Sequence, residues 1–254
     1  MTAHLLRRHA GFTLLELMVS ITITLFLMAG MLGLVVSMKS SFTTQDQLGR
    51  TQENALFALT ILDTMVRHAG YFPNPASNTE SAAMPQTTTA NADGSTYALG
   101  QSITGSAGAV SASDTITVRF QAAPNDGLMN CVGDTNKTGS NISWSNTFAV
   151  NANSQLTCSV SADGGAPAAP VVLIDNVASL RVLYGVDTLN DNNVDRYVSA
   201  TDIGSTYAYT SVHSVKLSIV FNDLVNSNAA TTATLPVLTH TINLMNKAYA
   251  EAVP

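Results

Sequence analysis

Glu16 is the first candidate for chemistry in this sequence. Its carboxylate lies at the start of an apolar run, residues 17–38, that contains no charged residue. An ionisable residue within a membrane-length span costs about 2.5 to 3.5 kcal/mol on insertion scales, so such a residue is a candidate for function. Gly11 separates a short basic leader from Phe12. A cut after Gly11 would free an amine at Phe12, four residues and about one helical turn from Glu16. That amine would supply a cationic partner for the carboxylate.

Two cysteines, Cys131 and Cys158, offer a second kind of chemistry. Arg7 and Arg8 precede the apolar run, and the positive-inside rule therefore keeps the N-terminus in the cytoplasm and the remainder outside it. Cysteines oxidise readily outside the cytoplasm, and one intrachain bridge is the simplest pairing. Two unpaired buried thiols are the alternative interpretation.

A third candidate is an acidic loop with Asp187, Asp191 and Asp195 at its first, fifth and ninth positions. Calcium takes six to eight oxygen ligands, and calcium loops supply them at alternate positions around a glycine turn. Leu189 stands where a third-position oxygen is expected, and Asn192 stands where the glycine is expected. Two hypotheses therefore remain: a calcium site, and an Asx-rich turn between two strands. We expect no other cofactor.

No catalytic constellation is evident, and we expect a protein that is not an enzyme. The sequence contains no Gly-rich phosphate loop, CxxC pair, HExxH or GxSxG motif. His213 begins a predicted strand and His240 falls on an apolar strand face, where a structural role is more common than a catalytic one. His68 lies in the last turn of a predicted helix, and the other histidines are His4 and His9.

The charge balance argues against a nucleic-acid partner. The chain has 11 basic and 17 acidic residues, a formal charge of −6, and loss of Arg7 and Arg8 with the leader would leave nine against 17, or −8. Phosphate binding needs a clustered basic face, which an acidic domain does not offer.

The apolar run is long enough to position Glu16 in a membrane. Its 22 residues would form a helix of roughly 33 Å, which matches a bilayer core of about 30 Å. A secretory signal is the competing interpretation, but a typical h-region has about 7 to 15 residues, and no clear small-x-small cleavage site follows this run.

Beyond the membrane run, residues 41–69 are amphipathic and predict a continuation of the same helix. Its apolar stripe consists of Leu48, Ala55, Leu59, Leu62, Val66 and Ala69. Gly70 is expected to end this helix. Residues 73–113 contain only two charges and are rich in small polar residues, which predicts a long surface segment with little regular structure.

Strand-like alternation begins at Asp114. The alternating blocks are 116–120, 148–150, 156–160, 180–186, 215–221 and 238–244, of which 180–186 and 215–221 are the stronger. The apolar face of these strands needs a cover, and the helical stripe provides one. The expected fold is therefore α+β, a long N-terminal helix packed on an antiparallel sheet.

The stretch Gly11-Phe12-Thr13-Leu14-Leu15-Glu16-Leu17-Met18-Val19 resembles the class III signal of type IV prepilins and type II secretion pseudopilins. The resemblance implies that a prepilin peptidase cuts after Gly11 and methylates the new Phe12 amine. It also implies that Glu16 pairs with the Phe12 amine of a neighbouring subunit during fibre assembly, and that the fold is that of a type IV pilin.

A second resemblance narrows the family. Three stretches of the chain are similar to the PilW group of minor pilins. Two of them are Arg67-His68-Ala69-Gly70-Tyr71-Phe72 and Leu173-Ile174-Asp175-Asn176-Val177, and the third, residues 184–198, begins with Tyr184-Gly185-Val186-Asp187. The resemblance implies a minor subunit that helps to initiate pilus assembly and sits near the fibre tip. A minor pseudopilin of type II secretion and a tip adhesin are the alternatives.

These expectations define the parts of the chain and its surroundings. The implied partners are other minor and major pilins, the prepilin peptidase and the inner-membrane assembly platform. The implied location is the inner membrane, crossed once with the head in the periplasm, and later the extracellular pilus. The parts are a leader peptide (1–11), a transmembrane helix (12–40), its amphipathic continuation (41–70), a polar variable loop region (71–113) and a β-sheet head (114–254).

Overall fold

A single long helix, α1 (Leu14–His68), begins the computed structural model, which describes residues 13–109, 112–223 and 234–246. The chain divides into two compact units, residues 1–50 and 51–254. The helical part of the first unit has its side chains exposed and is long and apolar enough to cross a membrane, with a mean hydropathy of 2.3 over its most apolar window. The hydroxyls of Ser20, Thr22 and Thr24 donate to backbone carbonyls three or four residues earlier. The helix thus satisfies these polar groups internally, as a bilayer requires.

The second unit contains the end of α1 and a series of strands. The helices are α2 (Glu80–Ala83) and a 3₁₀ turn (Tyr209–Ser211), and the strands are β1 (Ile103–Thr104), β2 (Ile116–Ala122), β3 (Ile142–Val150), β4 (Leu156–Ala162), β5 (Val171–Ile174), β6 (Val177–Val186), β7 (Arg196–Val198), β8 (Val212–Phe221) and β9 (Leu238–Asn243).

The described strands form two antiparallel sheets, where the sequence predicted one. The first sheet has the order β1-β2-β3-β4-β5 and the second β7-β6-β8-β9. The chain passes between them at Asp175 and Asn176, and Asn176 adopts a left-handed backbone with φ of 66°, a conformation that asparagine tolerates. This two-residue turn redirects the chain into the second sheet, whereas the alternation pattern gave no signal for the change.

One face of the end of α1 closes the core. Ala58, Leu62, Val66 and Ala69 are completely buried, at the three- and four-residue spacing of one helical face. Burial of a Leu or Val side chain stabilises a fold by about 1.5 to 3 kcal/mol. The predicted stripe is partly wrong, because Leu48 is 48% exposed and the stripe within the head begins at Ala55. The α+β expectation of a helix packed on antiparallel strands is confirmed.

Side chains from the last described segment fasten the C-terminal end of α1. The Asn246 amide donates to the carbonyls of Arg67 and Ala69, at 3.0 and 3.1 Å, and so satisfies carbonyls that the helix end leaves free. Gly70 follows with a left-handed φ of 76°, the usual glycine terminus. The Gly70 N–H donates to the carbonyl of Arg119 on β2.

The polar segment before β2 is irregular, as predicted, but it buries more than its composition suggested. Apart from α2 and β1, its described residues form no regular element, yet Met84, Tyr97 and Ile103 are at most 1% exposed. It covers the polar face of β2, where Thr117 and Arg119 are buried as a result. The expectation of a loose surface segment is therefore wrong for these residues, because hydrogen-bonding groups of β2 fix the segment in place.

Candidate functional site

The predicted assembly residue Glu16 lies in the first turn of α1. Its backbone N–H donates to the hydroxyl of Thr13 at 3.3 Å, and the Leu17 N–H donates to the Thr13 carbonyl at 3.1 Å. Thr13 therefore caps the helix. Thr13 and Glu16 have the T-x-x-E spacing of a capping box, a signal present in the sequence that the prediction did not use. Gly11 and Phe12 lie outside the described residues.

The position of Glu16 makes its charge available to another molecule. The side chain is exposed, and no ion pair involves it within the part of the chain that the structure describes. A negative group in the first turn is favoured by the helix dipole, typically by 0.3 to about 1 kcal/mol. The helix thus presents an uncompensated carboxylate at the start of an apolar segment.

The second candidate pair, Cys131 and Cys158, forms a disulfide in the structure, with a Cα–Cα distance of 6.4 Å. Both residues are buried, and the bridge fastens the segment between β2 and β3 to the middle of β4. The Cys131 N–H donates to Asn146 Oδ1 on β3 at 2.8 Å, and Asn146 is completely buried. Asn146 is a supporting residue that the sequence analysis missed, because the sequence shows only a polar residue at this strand position.

The acidic loop uses its first carboxylate to hold its own backbone. Asp187 accepts N–H donors from Leu189, Asn190 and Asn192 at 3.0, 2.6 and 2.7 Å. Burial opposes ionisation, but the backbone donors outweigh it, so the pKa of Asp187 is lowered from its ordinary value. Asn190 and Asn192 have φ of 57° and 64°, and these left-handed residues shape the turn.

The other two carboxylates of this loop are also engaged locally. The side chain and the backbone N–H of Thr188 both donate to Asp195 Oδ2 and lower the pKa of Asp195. Asp191 Oδ1 accepts the N–H of Asn193 at 3.0 Å.

This arrangement favours the Asx-rich turn over a calcium site at Asp187, Asp191 and Asp195. Across the described ranges no three His, Cys, Asp or Glu residues are grouped so that they could hold a metal ion. The carboxylate oxygens that calcium would need accept N–H groups of the loop itself. The geometry is that of the Asx-rich turn, the alternative given above.

The three described histidines occupy separate structural positions. His68 packs edge-on against Phe120, with ring centroids 5.3 Å apart, and burial lowers the pKa of His68 while the charge of Asp126 partly opposes that effect. His240 Nε2 lies 3.0 Å from a carboxylate oxygen of Asp63. His213 Nε2 is 4.0 Å from Asp187.

A buried guanidinium is the largest polar feature that the sequence analysis missed. Arg119 is 2% exposed; it donates to the carbonyls of Gln101 and Pro85, and it stacks 4.2 Å from the ring centroid of Tyr97. Asp93 supports the same segment by accepting the hydroxyl of Thr117 on β2 at 3.0 Å. The sequence predicted the strand position of Arg119, because this residue alternates with apolar residues along β2. It did not predict which residues cover the guanidinium.

Comparisons with known proteins match two parts of the chain, its N-terminal segment and the C-terminal part of its head. The family described as Type IV pilus-assembly protein W matches residues 142–253, and the prokaryotic N-terminal methylation motif matches residues 6–32. A search of curated proteins found no match. Among solved structures, a type IV-like pilin from Thermus thermophilus is similar at 14% identity, covering 78% of this chain and 97% of that chain with a TM-score of 0.44. The chain thus carries a prepilin methylation motif on its apolar helix and a PilW domain in its head, and together these matches support a minor pilin of the type IV pilus.

Proposed function

We propose that this minor pilin is processed in the inner membrane and then helps to initiate pilus assembly, taking a position at or near the fibre tip. The observation that carries the proposal is the exposed, uncompensated carboxylate of Glu16 in the first turn of an apolar helix. Such a charge is unfavourable in a bilayer, and a cation from another subunit would remove that cost. The name of the matched family, a pilus-assembly protein, supports the role in assembly.

The cation in this proposal is the N-terminal amine of Phe12 in a neighbouring subunit. Cleavage after Gly11 by the prepilin peptidase would create the amine, and methylation would leave it basic. The match to the N-terminal methylation motif supports this processing. Phe12 then lies four residues from Glu16, so an amine and a carboxylate occur within one turn of each mature helix. Neighbouring helices, displaced along the fibre, can pair them in succession.

Charge and hydropathy support the topology of this proposal. Arg7 and Arg8 would hold the leader on the cytoplasmic side, α1 would cross the inner membrane once, and the head would fold in the periplasm before entering the extracellular pilus. The partners in this account are other minor and major pilins, the peptidase and the assembly platform. A structural role of this kind requires no catalytic residue.

The experiment compares two carboxylates of the same helix. Glu16→Gln and Glu53→Gln each remove one negative charge from α1, and Glu53 is also exposed. In a deletion strain, Glu16→Gln protein should insert in the membrane at normal levels but disappear from sheared pili, and pilus number should fall. Glu53→Gln protein should be incorporated normally. Equal incorporation of the two variants would contradict the proposed pairing.

The same strains test the role in initiation and the position. Loss of an initiating subunit should lower the number of pili, whereas loss of a tip adhesin should leave pilus number unchanged and lower attachment. Immunogold labelling of the head should mark one end of each fibre. Labelling along the whole shaft would overturn the tip position, and a defect confined to protein secretion would favour a type II pseudopilin.

A further inference from the structure

A pocket over the polar face of the first sheet has no part in the account of assembly. Its volume is about 290 Å³. Arg119 and Gln121 of β2 and Ser143 of β3 line it from the sheet, where Gln121 and Ser143 lie directly opposite each other on the two strands. Residues 82–88 of the segment that covers β2 and the turn after β4 complete the lining. Charged, polar and small apolar groups therefore meet in one pocket.

Arg119 supplies a positive charge to this pocket. Its Nη1 donates at 2.6 Å to the carbonyl of Pro85, which also lines the pocket, and its Nε and Nη2 donate to the carbonyl of Gln101. These acceptors are neutral, and no ion pair involves Arg119 in the part of the chain that the structure describes. Burial lowers the pKa of Arg119, while nearby Tyr97 and Glu80 oppose that effect. The described hydrogen bonds use three of the five N–H groups of the guanidinium, which leaves two to donate to an anion.

Asp163, in the turn after β4, supplies a negative charge to the same pocket. Its N–H donates to the Ser143 carbonyl at 2.8 Å, and its Oδ1 accepts the Ser143 N–H at 2.8 Å, so the turn is fixed to β3. The turn also approaches the covering segment, because a Cβ at Gly164 would lie 3.3 Å from Thr87 Cγ2. Asp163 is exposed and takes part in no ion pair with another described residue. Arg119 and Asp163 thus bring opposite charges to one pocket without neutralising each other as an ion pair.

We propose that this pocket binds a small zwitterion of the α-amino-acid class, with its carboxylate toward Arg119 and its ammonium toward Asp163. A simple anion is attracted by Arg119 but repelled by Asp163, and a simple cation meets the reverse, so a ligand that carries both charges suits the pocket best. Hydrogen bonds between charged groups are also roughly twice as strong as neutral ones. Ala82, Ala83 and Pro85 in the lining favour a small apolar side chain. The inference does not depend on the proposed role in assembly.

L-valine and two singly charged analogues test the two contacts separately. Isothermal titration calorimetry of the full chain in detergent compares L-valine with isovalerate, which lacks the ammonium, and with isobutylammonium, which lacks the carboxylate. We expect saturable binding of L-valine at millimolar or lower concentration. Each analogue should bind at least about tenfold more weakly, because it keeps one charged contact and loses the other.

A matched pair of variants separates this pocket from unspecific association. Asp163→Asn keeps an oxygen for the Ser143 N–H but removes the charge, and it should weaken L-valine binding about tenfold. Asp134→Asn changes an exposed carboxylate that does not line the pocket, and it should alter binding by less than about threefold. In Asp163→Asn, L-valine should lose its advantage over isovalerate, because the ammonium no longer has a charged partner.

Three outcomes would overturn the proposal. They are the absence of saturable L-valine binding up to about 10 mM, equal effects of the two aspartate variants, and binding of either analogue as tightly as L-valine by the unmodified chain. Tight binding of isovalerate alone would make the pocket a simple anion site instead. No pilus takes part in these titrations, so their failure would leave the assembly role of Glu16 untouched.

Discussion

His240 Nε2 lies 3.0 Å from Asp63 Oδ1, and this contact joins the last described strand, β9, to the helix α1. Asp63 also receives two hydrogen bonds from Arg67, at 2.6 and 3.0 Å. The Arg67 interaction is the main cause of a lowered pKa at Asp63, with burial opposing it and His240 adding to it. One carboxylate thus contacts two partners from two elements, Arg67 and His240, and fixes the end of the helix against the second sheet.

Removal of this carboxylate should destabilise the head more than removal of an ordinary surface charge. Asp63→Asn should lower the free energy of unfolding by about 1 to 2 kcal/mol, because the three groups share one partly buried site. The matched control is Asp46→Asn, since Asp46 forms a similar pair with Arg50 at 3.0 Å on the same helix but is more exposed. Asp46→Asn should lower the free energy of unfolding by less than about 0.5 kcal/mol. Equal losses in urea unfolding would contradict the account.

The stability of the head should fall when the medium becomes mildly acidic, because of His68. Burial lowers the pKa of His68 in the folded state, so the unfolded state binds more protons at and below its ordinary pKa of about 6.5. Stability is therefore complete above about pH 6.5 and decreases as pH falls toward the folded pKa. Asp63 remains ionised throughout this window, because its own pKa is lowered.

The measurement compares wild type with His68→Phe at pH 7.5 and pH 5. Phenylalanine keeps an aromatic ring beside Phe120 but cannot take up a proton. We expect the variant to lose less stability than wild type between the two values. The same loss in both proteins would assign the pH dependence to other groups.

The longest patterns in the sequence predicted the fold well. The helix to His68 and the main strands follow from apolar spacing, which records which side chains share a face. Periodicity does not record what covers each face. The burial of Arg119 under Gln101 and Pro85, and the division into two sheets, depend on segments far apart in the chain and could not be predicted in this way.

The candidate sites show the same distinction. A pair of cysteines in a domain that the sequence predicts to be exported suggested the disulfide, because only one pairing was available. The acidic loop was ambiguous, because carboxylates that bind a cation and carboxylates that accept backbone N–H groups have the same spacing in sequence. The hydrogen bonds of Asp187 and Asp195 favour the second interpretation, and only a structure supplies them.

The disulfide should be a major contribution to stability. The cysteines are 27 residues apart, and closing such a loop is worth about 3 to 4 kcal/mol in the chain-entropy description. The double variant Cys131→Ala, Cys158→Ala should therefore unfold at much lower denaturant concentration than wild type. Thiol labelling of the denatured, unreduced protein should find no free cysteine. Two labelled thiols would show that the bridge does not form in the cell.

The acidic loop should respond to loss of its carboxylates and not to calcium. Asp187→Ala leaves three backbone donors without their acceptor and should lower the melting temperature clearly more than Asp191→Ala, which loses one exposed contact. Melting temperatures in millimolar calcium, millimolar magnesium and chelator should agree. A rise that is specific to calcium and disappears in Asp191→Ala would restore the calcium site.

The central claim is that cleavage after Gly11 frees an amine at Phe12, and that this amine is the cationic partner of Glu16. Mass spectrometry of the protein purified from pilus-bearing cells measures the mature N-terminus directly. The account predicts a chain that begins at Phe12 and carries a methyl group on its amine. A mature chain that begins at Met1, or at any residue beyond Met38, would contradict it, because Glu16 would then have no such amine within one helical turn.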